Sequence, residues 1–296
     1  MTRKVEIIAT GLSGLVGSRI QEFLADRYRF HNLDLTTGVD LTDASSVKKA
    51  MEKASGEVVL HLAAYTNVDQ AHAEKGNKNG SCYRVNVLGS RYVAQYADKR
   101  GSYLIHISTD FVFNGMKKTA YTEEDNPHPI EWYGQTKSWA EQEVQKIGGK
   151  YTIVRIAFPF RARFEAKLDL VRTILTKLEA GTLYPMFADQ IITPTFIDDI
   201  AKAVDIIIQK QPQGIYHVVG STAVSPYHLA QKIARTFRLN PRQVKKGSLA
   251  EYLKTAKRPY QQRLAISNHK IKKELGITMS TIDQALLEIR RQLYKV

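Results

Sequence analysis

Short apolar runs of strand length alternate with helical patterns through the first 160 residues, and this alternation restricts the possible folds more than any other feature of the chain. The runs lie near residues 5–10, 30–34, 57–62, 102–107 and 151–156. Strands that alternate with helices predict a parallel sheet with helices on both faces, the doubly wound α/β class. Such sheets bind ligands at the carboxyl ends of their strands. We therefore expect the functional residues directly after the apolar runs.

A glycine-rich turn follows the first apolar run. It has glycines at positions 11, 14 and 17, and apolar residues recur at helical spacing after it. A strand, a glycine turn and a helix start can bind pyrophosphate, because the ligand approaches closely and meets free N–H groups. Glycines alone are also compatible with a structural tight turn. The turn residues expected to bind a dinucleotide are Gly11, Leu12, Ser13, Gly14, Leu15 and Val16.

Asp34 favours the dinucleotide interpretation of that turn. It follows the second apolar run, roughly 20 residues after the glycines, where a carboxylate meets the adenosine ribose hydroxyls. A carboxylate there repels a 2'-phosphate, and neither an arginine nor a lysine directly follows it. The sequence therefore favours NAD(H), while Arg19 leaves NADP(H) open as the cofactor.

Thr109, Tyr133 and Lys137 form a candidate catalytic set. Thr109 ends an apolar run, and Tyr133 and Lys137 share one face of a predicted helix at i and i+4. We expect the ammonium to favour ionisation of the phenol, which ordinarily ionises near pH 10. A phenol so placed exchanges a proton with a carbonyl or alcohol oxygen while hydride moves to or from a nicotinamide, and Thr109 would hydrogen-bond that oxygen. One Tyr-x-x-x-Lys is expected by chance in such a chain, so the agreement with the glycine turn supports the assignment.

Composition limits the other classes of function. A chain of 296 residues with 43% hydrophobic content is typical of a soluble globular protein. Its apolar stretches are shorter than a membrane helix, and its start shows no signal-peptide pattern, so we expect a cytoplasmic protein. The single cysteine, Cys82, allows no internal disulfide, and neither cysteines nor histidines have metal-site spacing.

Residues 221–296 hold most of the positive charge, with 16 lysines and arginines against 4 acidic residues. Such a segment can attract an anionic ligand, bind nucleic acid or form an ordinary solvated face. No nucleic-acid-binding motif accompanies it, so we expect no nucleic-acid partner. Arg258 and Arg263 flank a proline turn and are the basic residues best suited to an anionic substrate. The pattern of Thr281 and Gln284 predicts a capping box for the last helix.

A set of motifs follows in a fixed order along the chain: glycines 11, 14 and 17, residues 40–43, 61–69, 85–86, 108–110, 112–115 and 133–137, Glu141, and residues 193–195 and 258–259. In the order and spacing of these motifs the chain resembles the extended short-chain dehydrogenases and, more narrowly, the dTDP-4-dehydrorhamnose reductase family. The likeness extends from about residue 4 to about residue 268.

That resemblance implies a Rossmann-type doubly wound sheet with a smaller C-terminal substrate-binding domain. Residues 1–160 would form the NAD(P)-binding domain, with a returning segment near 195–220, and residues 161–296 would mainly bind substrate. The implied catalytic residues are Thr109, Tyr133 and Lys137, with Asn86 supporting the proton relay. Those implied to line the cofactor are Asp40 and Leu41 at the adenine and Ala63, Ala64 and Tyr65 on the nicotinamide side. We expect Tyr133 and Lys137 to contact the cofactor as well, with the Lys137 ammonium reaching the nicotinamide ribose.

The resemblance implies that Thr66 and Val68 continue into the sugar site. Three departures from the family pattern fall near the substrate, one of which is the more basic stretch at residues 160–163. The family's Arg-Thr-Ser-Trp is here residues 155–158, ending in Phe158, and Val-Phe-Asp-Gly has Asn114 in place of the aspartate. These changes bear on the choice of sugar and not on the chemistry.

The implied activity is NAD(P)H-dependent reduction of the 4-keto group of a nucleotide-linked 4-keto-6-deoxy sugar, namely dTDP-4-dehydrorhamnose to dTDP-L-rhamnose. One alternative is a nucleotide-sugar 4-epimerase or 4,6-dehydratase of the same superfamily, although a dehydratase would place a second carboxylate beside Thr109 and Asp110. Another is a regulatory subunit without turnover, like the relative that partners methionine adenosyltransferase, against which the intact catalytic set argues. Family members include monomers and dimers, which leaves a homodimer open.

Overall fold

The computed structural model describes residues 4–294, so the ends of the two predicted domains, residues 1–3 and 295–296, lie outside the described part. A π-helical segment, Arg84–Gly89, joins the helices Ser81–Tyr83 and Ser90–Lys99. In chain order the elements are β1 (Val5–Thr10), α1 (Leu15–Leu24), β2 (Tyr28–Asn32), α2 (Ala44–Lys53), β3 (Val58–His61), α3 (Val68–Ala73), α4 (Ser81–Tyr83), α5 (Ser90–Lys99), β4 (Tyr103–Thr109), α6 (Trp132–Ile147), β5 (Tyr151–Ile156), β6 (Pro159–Phe160), α7 (Leu170–Glu179), β7 (Met186–Phe187), β8 (Thr195–Phe196), α8 (Ile197–Lys210), β9 (Gly214–His217), α9 (Pro226–Thr236), β10 (Lys246–Gly247), α10 (Leu249–Leu253), α11 (His269–Leu275) and α12 (Ile282–Tyr294).

The largest sheet of the described chain has six strands in the order β2-β1-β3-β4-β5-β9. Strand β1 pairs in parallel with both β2 and β3, and β3 pairs in parallel with β4. The predicted fold class is confirmed. The chain leaves β1 for β2 on one side and then crosses to β3 on the other. The direction in which the chain adds strands therefore reverses between β1 and β3. Doubly wound sheets bind their ligands at such a switch point.

The apolar runs predicted as strands form β1 to β5, and the returning segment predicted near residues 195–220 contains β9. All four residues of β3 and all seven of β4 are buried. Such complete burial is expected because helices cover both faces of a parallel sheet. Val47 and Met51 of α2, Val93 of α5 and Val144 of α6 belong to one buried cluster with these strands. The helix that bears Tyr133 is thus fixed to the sheet by core packing.

By its internal contacts the chain divides into two compact units. The first comprises residues up to 112, residues 127–155 and residues 201–216; the second comprises residues 113–126, 156–200 and those from 217 on. The second unit contains two short parallel strand pairs, β6 with β8 and β7 with β10. Its core includes buried residues of α7, α9 and α12. The assignment of cofactor and substrate binding to two domains stays a prediction.

The last helix, α12, begins where the capping pattern predicts. The Thr281 backbone N–H donates to Gln284 Oε1 at 2.9 Å, and the Gln284 N–H donates to Thr281 Oγ1 at 3.3 Å. Its inward face is buried at Ala285, Leu286 and Ile289. Across residues 4–294, none of the helices has both the length and the apolar character needed to cross a membrane.

Candidate active site

The glycine turn between β1 and α1 is packed against the chain that follows β3. Gly11 has a φ of 71°, and a Cβ atom added there would lie 2.6 Å from the backbone nitrogen of Ala63. A Cβ at Gly17 would lie 2.4 Å from the Gly11 carbonyl oxygen. Both contacts are too close for any other residue. Helix α1 begins after Gly14 with no side chain capping its N–H groups, so this helix start offers donors to an anion.

Asp34 lies beside this turn and is nearly buried. Its Oδ2 accepts hydrogen bonds from Ser13 Oγ at 3.1 Å and Asn32 Nδ2 at 2.9 Å, and its Oδ1 accepts from the backbone and hydroxyl of Thr36 at 2.9 and 2.6 Å. Burial alone would raise the pKa of Asp34, but these hydrogen bonds outweigh it and hold the pKa below its ordinary value. Four donors occupy a carboxylate fully, so a ribose hydroxyl has to displace one of them. The Asp34 carboxylate is therefore less available to a ribose hydroxyl than the sequence suggested.

Asn86 connects the segment after β3 to helix α6. It is fully buried in the π-helical segment; its Oδ1 accepts from the Tyr65 N–H at 2.8 Å, and its Nδ2 donates to Thr136 Oγ1 at 3.0 Å. Tyr65 and Tyr133 both pack against the buried cluster of Ala71, Cys82 and Trp132. The structure therefore brings three predicted residues close together: Tyr65, Asn86 and Tyr133. Sequence reasoning missed Thr136, because its partner lies 50 residues away.

Tyr133 and Thr109 meet at the end of β4. The first turn of α6 packs tightly on the chain after Thr109, because a Cβ at Gly134 would lie 2.2 Å from the Phe111 carbonyl oxygen. Burial raises the pKa of the Tyr133 phenol above its ordinary value near 10, and a hydrogen bond with Thr109 opposes this shift. The carboxylates of Glu131 and Asp110 raise the pKa of Tyr133 further. A phenol in this setting keeps its proton at neutral pH.

Lys137 lies one helical turn after Tyr133 and is buried. Its Nζ donates to the Ile107 carbonyl oxygen at 2.8 Å, and burial lowers the pKa of the ammonium to about 8. The sequence led us to expect that Lys137 favours ionisation of the phenol. In this structure the pKa of Tyr133 is raised instead, because burial is the largest influence on the phenol.

Two buried carboxylates beside Tyr133 were not among the predicted site residues. Glu131 caps α6, accepting from the N–H groups of Tyr133 at 2.9 Å and Gly134 at 2.7 Å. Asp110 accepts from the Thr109 hydroxyl at 3.2 Å, while its Oδ2 has no hydrogen-bond partner within residues 4–294. Burial raises the pKa of Asp110 to about 7. The sequence could have indicated Asp110, because this residue directly follows Thr109. It gives little indication of Glu131, because glutamate is an uncommon helix cap.

The remaining predicted residues occupy defined positions in their own units. In the first, Asp40 Oδ1 accepts from the Thr42 N–H at 2.8 Å, Leu41 is buried, Thr66 is exposed and Val68 begins α3. In the second, Phe158 has a φ of 40°, an unusual value for a residue with a side chain. Arg258 stacks on the Tyr260 ring at 3.7 Å from its centroid, and the Arg263 N–H donates to the Gly115 carbonyl at 3.0 Å. Their roles toward cofactor and substrate stay predictions.

Comparison with known proteins identifies the family. The profile of the RmlD substrate binding domain family matches residues 5–294. A dTDP-4-dehydrorhamnose reductase from Aggregatibacter actinomycetemcomitans is 32% identical over 296 residues, covering 96% of this chain and 98% of the relative. A probable low-salt glycan biosynthesis reductase from Haloferax volcanii is 29% identical over 94% of each chain.

A solved structure of similar sequence is also similar in fold. The crystal structure of dTDP-4-dehydrorhamnose reductase from Bacillus anthracis in complex with NADP superposes with a TM-score of 0.89 and 28% identity, covering 98% of this chain and 100% of that one. The matched profile spans nearly all the described residues. It includes the glycine turn, Thr109 and the helix bearing Tyr133 and Lys137. By sequence, by fold and by this set of residues, the chain belongs to the dTDP-4-dehydrorhamnose reductase family.

Proposed function

We propose that this protein reduces the 4-keto group of a nucleotide-linked 4-keto-6-deoxy sugar, converting dTDP-4-dehydrorhamnose to dTDP-L-rhamnose. The observation that best supports the proposal is that Tyr133, in the first turn of α6, packs on the chain that directly follows Thr109, with Lys137 one helical turn further on. This arrangement suits proton transfer to a carbonyl oxygen. The reductases among its relatives support the choice of substrate class.

The residues of the first unit fit a nicotinamide dinucleotide. The uncapped start of α1 and the glycine turn would hold the pyrophosphate, Asp34 would lie toward the adenosine ribose, and the segment from Ala63 to Tyr65 would line the nicotinamide side. When bound, the reduced nicotinamide supplies a hydride to the keto carbon. We expect Asp40 and Leu41 at the adenine, and Thr66, Val68, Phe158, Arg258 and Arg263 at the substrate.

The protein's own residues then transfer one proton to the substrate. Thr109 hydrogen-bonds and orients the keto oxygen, and Tyr133 donates its phenolic proton to that oxygen as negative charge develops on it. The raised pKa of Tyr133 ensures that the proton is present at neutral pH. An alkoxide is more basic than a phenolate, so the transfer stays favourable. Lys137, charged below a pKa of about 8, compensates the phenolate that remains.

A spectrophotometric assay tests this function. With dTDP-4-keto-6-deoxy-L-mannose, we expect loss of absorbance from reduced nicotinamide in a one-to-one ratio with the sugar alcohol formed. The UDP counterpart, offered separately, measures recognition of the base. An epimerase would interconvert sugars without net consumption of the cofactor, and a regulatory subunit would bind cofactor without turnover. Either result contradicts the proposal.

We further propose that NADH and NADPH both support turnover. The Asp34 carboxylate disfavours a 2'-phosphate, but four local hydrogen bonds already occupy it. The Bacillus anthracis relative is in complex with NADP, which supports tolerance of the phosphate in this family. Titration of each reduced cofactor should give dissociation constants within about tenfold, or 1.4 kcal/mol. A larger difference in either direction contradicts this expectation.

A further inference from the structure

A buried ion pair joins α6 to β5, two helical turns after Tyr133 on α6. Glu141 on α6 and Arg155 on β5 have side chains only 3% and 2% exposed. Arg155 Nε donates to Glu141 Oε1 at 2.9 Å, and Nη2 donates to Oε2 at 2.7 Å. Ser108 Oγ also donates to Oε1, at 2.5 Å. A buried carboxylate is tolerated only when its oxygens are satisfied, and here both oxygens are.

The position of this pair relates it to the catalytic set. Tyr133, Lys137 and Glu141 are spaced four residues apart along α6 and share one face of the helix. Ser108 directly precedes Thr109 on β4. The hydrogen bond from Ser108 to Glu141 therefore joins the helix that bears Tyr133 to the strand that bears Thr109, two turns from the phenol. Arg155 extends the connection to β5.

Glu141 also acts on the charge of Lys137. The titratable groups that influence Lys137, or are influenced by it, are Glu141 on its own helix, Cys82 on α4, His61 on β3 and His106 on β4. Burial lowers the pKa of His61 to about 3 and that of His106 well below its ordinary value, so both rings are neutral. Burial raises the pKa of Cys82 to about 11, so its thiol keeps its proton. Among these four groups, the Glu141 carboxylate supplies the negative charge that opposes the effect of burial on Lys137.

We infer that Glu141, held by Arg155 and Ser108, is a positioning residue that fixes α6 on β4 and keeps Lys137 charged at neutral pH. The catalytic consequence rests on the proposed function. The effect on Lys137 does not, because it follows from the charge of Glu141 and its position on the same face of α6, both within the first unit. The two can therefore be tested separately.

The first test measures the charge of Lys137 directly. Protein labelled with ¹³C at the lysine side chains is titrated by NMR, and the Lys137 resonance is identified by its loss in Lys137→Met. In Glu141→Gln we expect its titration midpoint to fall by about one pH unit or more, the usual effect of one nearby opposite charge. The matched control is Glu143→Gln. Glu143 lies two residues further on the same helix and forms a similar two-point pair with Arg91, at 2.7 and 2.9 Å, but that pair is partly exposed. The control should titrate like the unmodified protein.

The second test measures turnover against pH. A one-unit fall lowers the charged fraction of Lys137 at pH 8 from about one half to about one tenth, and leaves it near nine tenths at pH 6. We therefore expect Glu141→Gln to lose about fivefold in kcat at pH 8 and to recover at pH 6. A purely structural defect would lower kcat equally at both values. Equal losses, or an unchanged Lys137 titration, would overturn the inference.

A second variant protects the test against misfolding, because Glu141→Gln leaves the Arg155 charge buried. Glu141→Leu combined with Arg155→Met removes both charges with side chains of similar volume, a replacement that buried ion pairs often tolerate. Its Lys137 midpoint should also fall, and a midpoint equal to that of the unmodified protein would overturn the inference. If the unmodified protein does not reduce the keto sugar, the proposed function fails while the NMR titration still decides the role of Glu141.

Discussion

At the scale of single residues, the site combines groups whose ordinary ionisation has been shifted by burial. Tyr133 keeps its proton more firmly than a free phenol, Lys137 loses its proton more readily than a free amine, and Asp110 stays partly protonated near neutral pH. Burial is the largest cause in each case, because a low-dielectric setting penalises the charged form. A cluster of shifted groups is typical of functional sites.

The role of Tyr133 as proton donor gives the most direct prediction. Tyr133→Phe removes one oxygen and keeps the ring that packs beside Phe111. Turnover should fall by about 100-fold or more, the usual contribution of general acid catalysis, while thermal stability and cofactor affinity change little. Single-turnover oxidation of the reduced cofactor and cofactor titration measure the two effects. Near-normal turnover in this variant would rule out Tyr133 as the acid.

Asp110 predicts a pH dependence of stability. Burial raises its pKa from 3.8 to about 7 in the folded state, so the folded protein binds more protons than the unfolded chain between these values. Its contribution to stability is present at low pH and is lost as the pH rises toward 7. Relative to Asp110→Asn, the unmodified protein should lose about 2.6 kcal/mol of unfolding free energy between pH 5 and pH 8, at about 1.4 kcal/mol per pH unit over the range in which only the folded state holds the proton. Urea denaturation at both pH values measures it, and a constant difference between the two proteins contradicts it.

At the scale of elements, the turn from β1 into α1 depends on a close approach between backbones. Gly17→Ala places a methyl group 2.4 Å from the Gly11 carbonyl oxygen, which has no side-chain freedom to move away. We expect a loss of about 1–3 kcal/mol in stability, as for other overpacked positions, and at least tenfold weaker cofactor binding. Gly14→Ala, whose nearest contact is 3.3 Å, is the matched control for stability and should lose less. Equal thermal unfolding of the two variants, or unchanged cofactor titration in Gly17→Ala, would contradict this account of the turn.

At the scale of the whole molecule, the protein is an oxidoreductase of the dTDP-4-dehydrorhamnose reductase family. Its charge is distributed unevenly along the chain. Residues 221–296 contain 16 basic and 4 acidic residues, so this segment carries about +12 (16 − 4) of the formal net charge of +14. A positive surface accelerates encounter with an anionic substrate, and salt screens the effect over about 10 Å at 0.1 M.

This charge predicts a salt effect on substrate capture. Between roughly 0.05 and 0.5 M salt, kcat/KM for the nucleotide sugar should fall severalfold while kcat stays nearly constant, since screening acts on association and not on the buried residues. Steady-state kinetics at both salt concentrations measure the two parameters. If kcat/KM is independent of salt, the basic segment is an ordinary solvated face.

Much of this arrangement could be predicted because it depends on residues close in sequence. Apolar runs place β1 to β5, a glycine turn joins β1 to α1, Tyr133 and Lys137 share a face through helical spacing, and Thr281 caps α12. Local conformational preference and periodicity determine such features, and both are contained within a few residues. The resemblance of ordered motifs added the family, which the comparisons confirmed.

Only the tertiary structure decided which distant groups meet. It placed β1 between β2 and β3, directed Lys137 to the Ile107 carbonyl, surrounded Asp34 with four donors, and brought Ser108 and Arg155 to Glu141. Strand order and hydrogen-bond partners far apart in sequence are set by packing of the whole unit. The pKa shifts follow from the same packing, because burial is a property of all the surrounding chain. The sequence by itself determined which chemical groups the site contains, and the fold determined their partners and their state of charge.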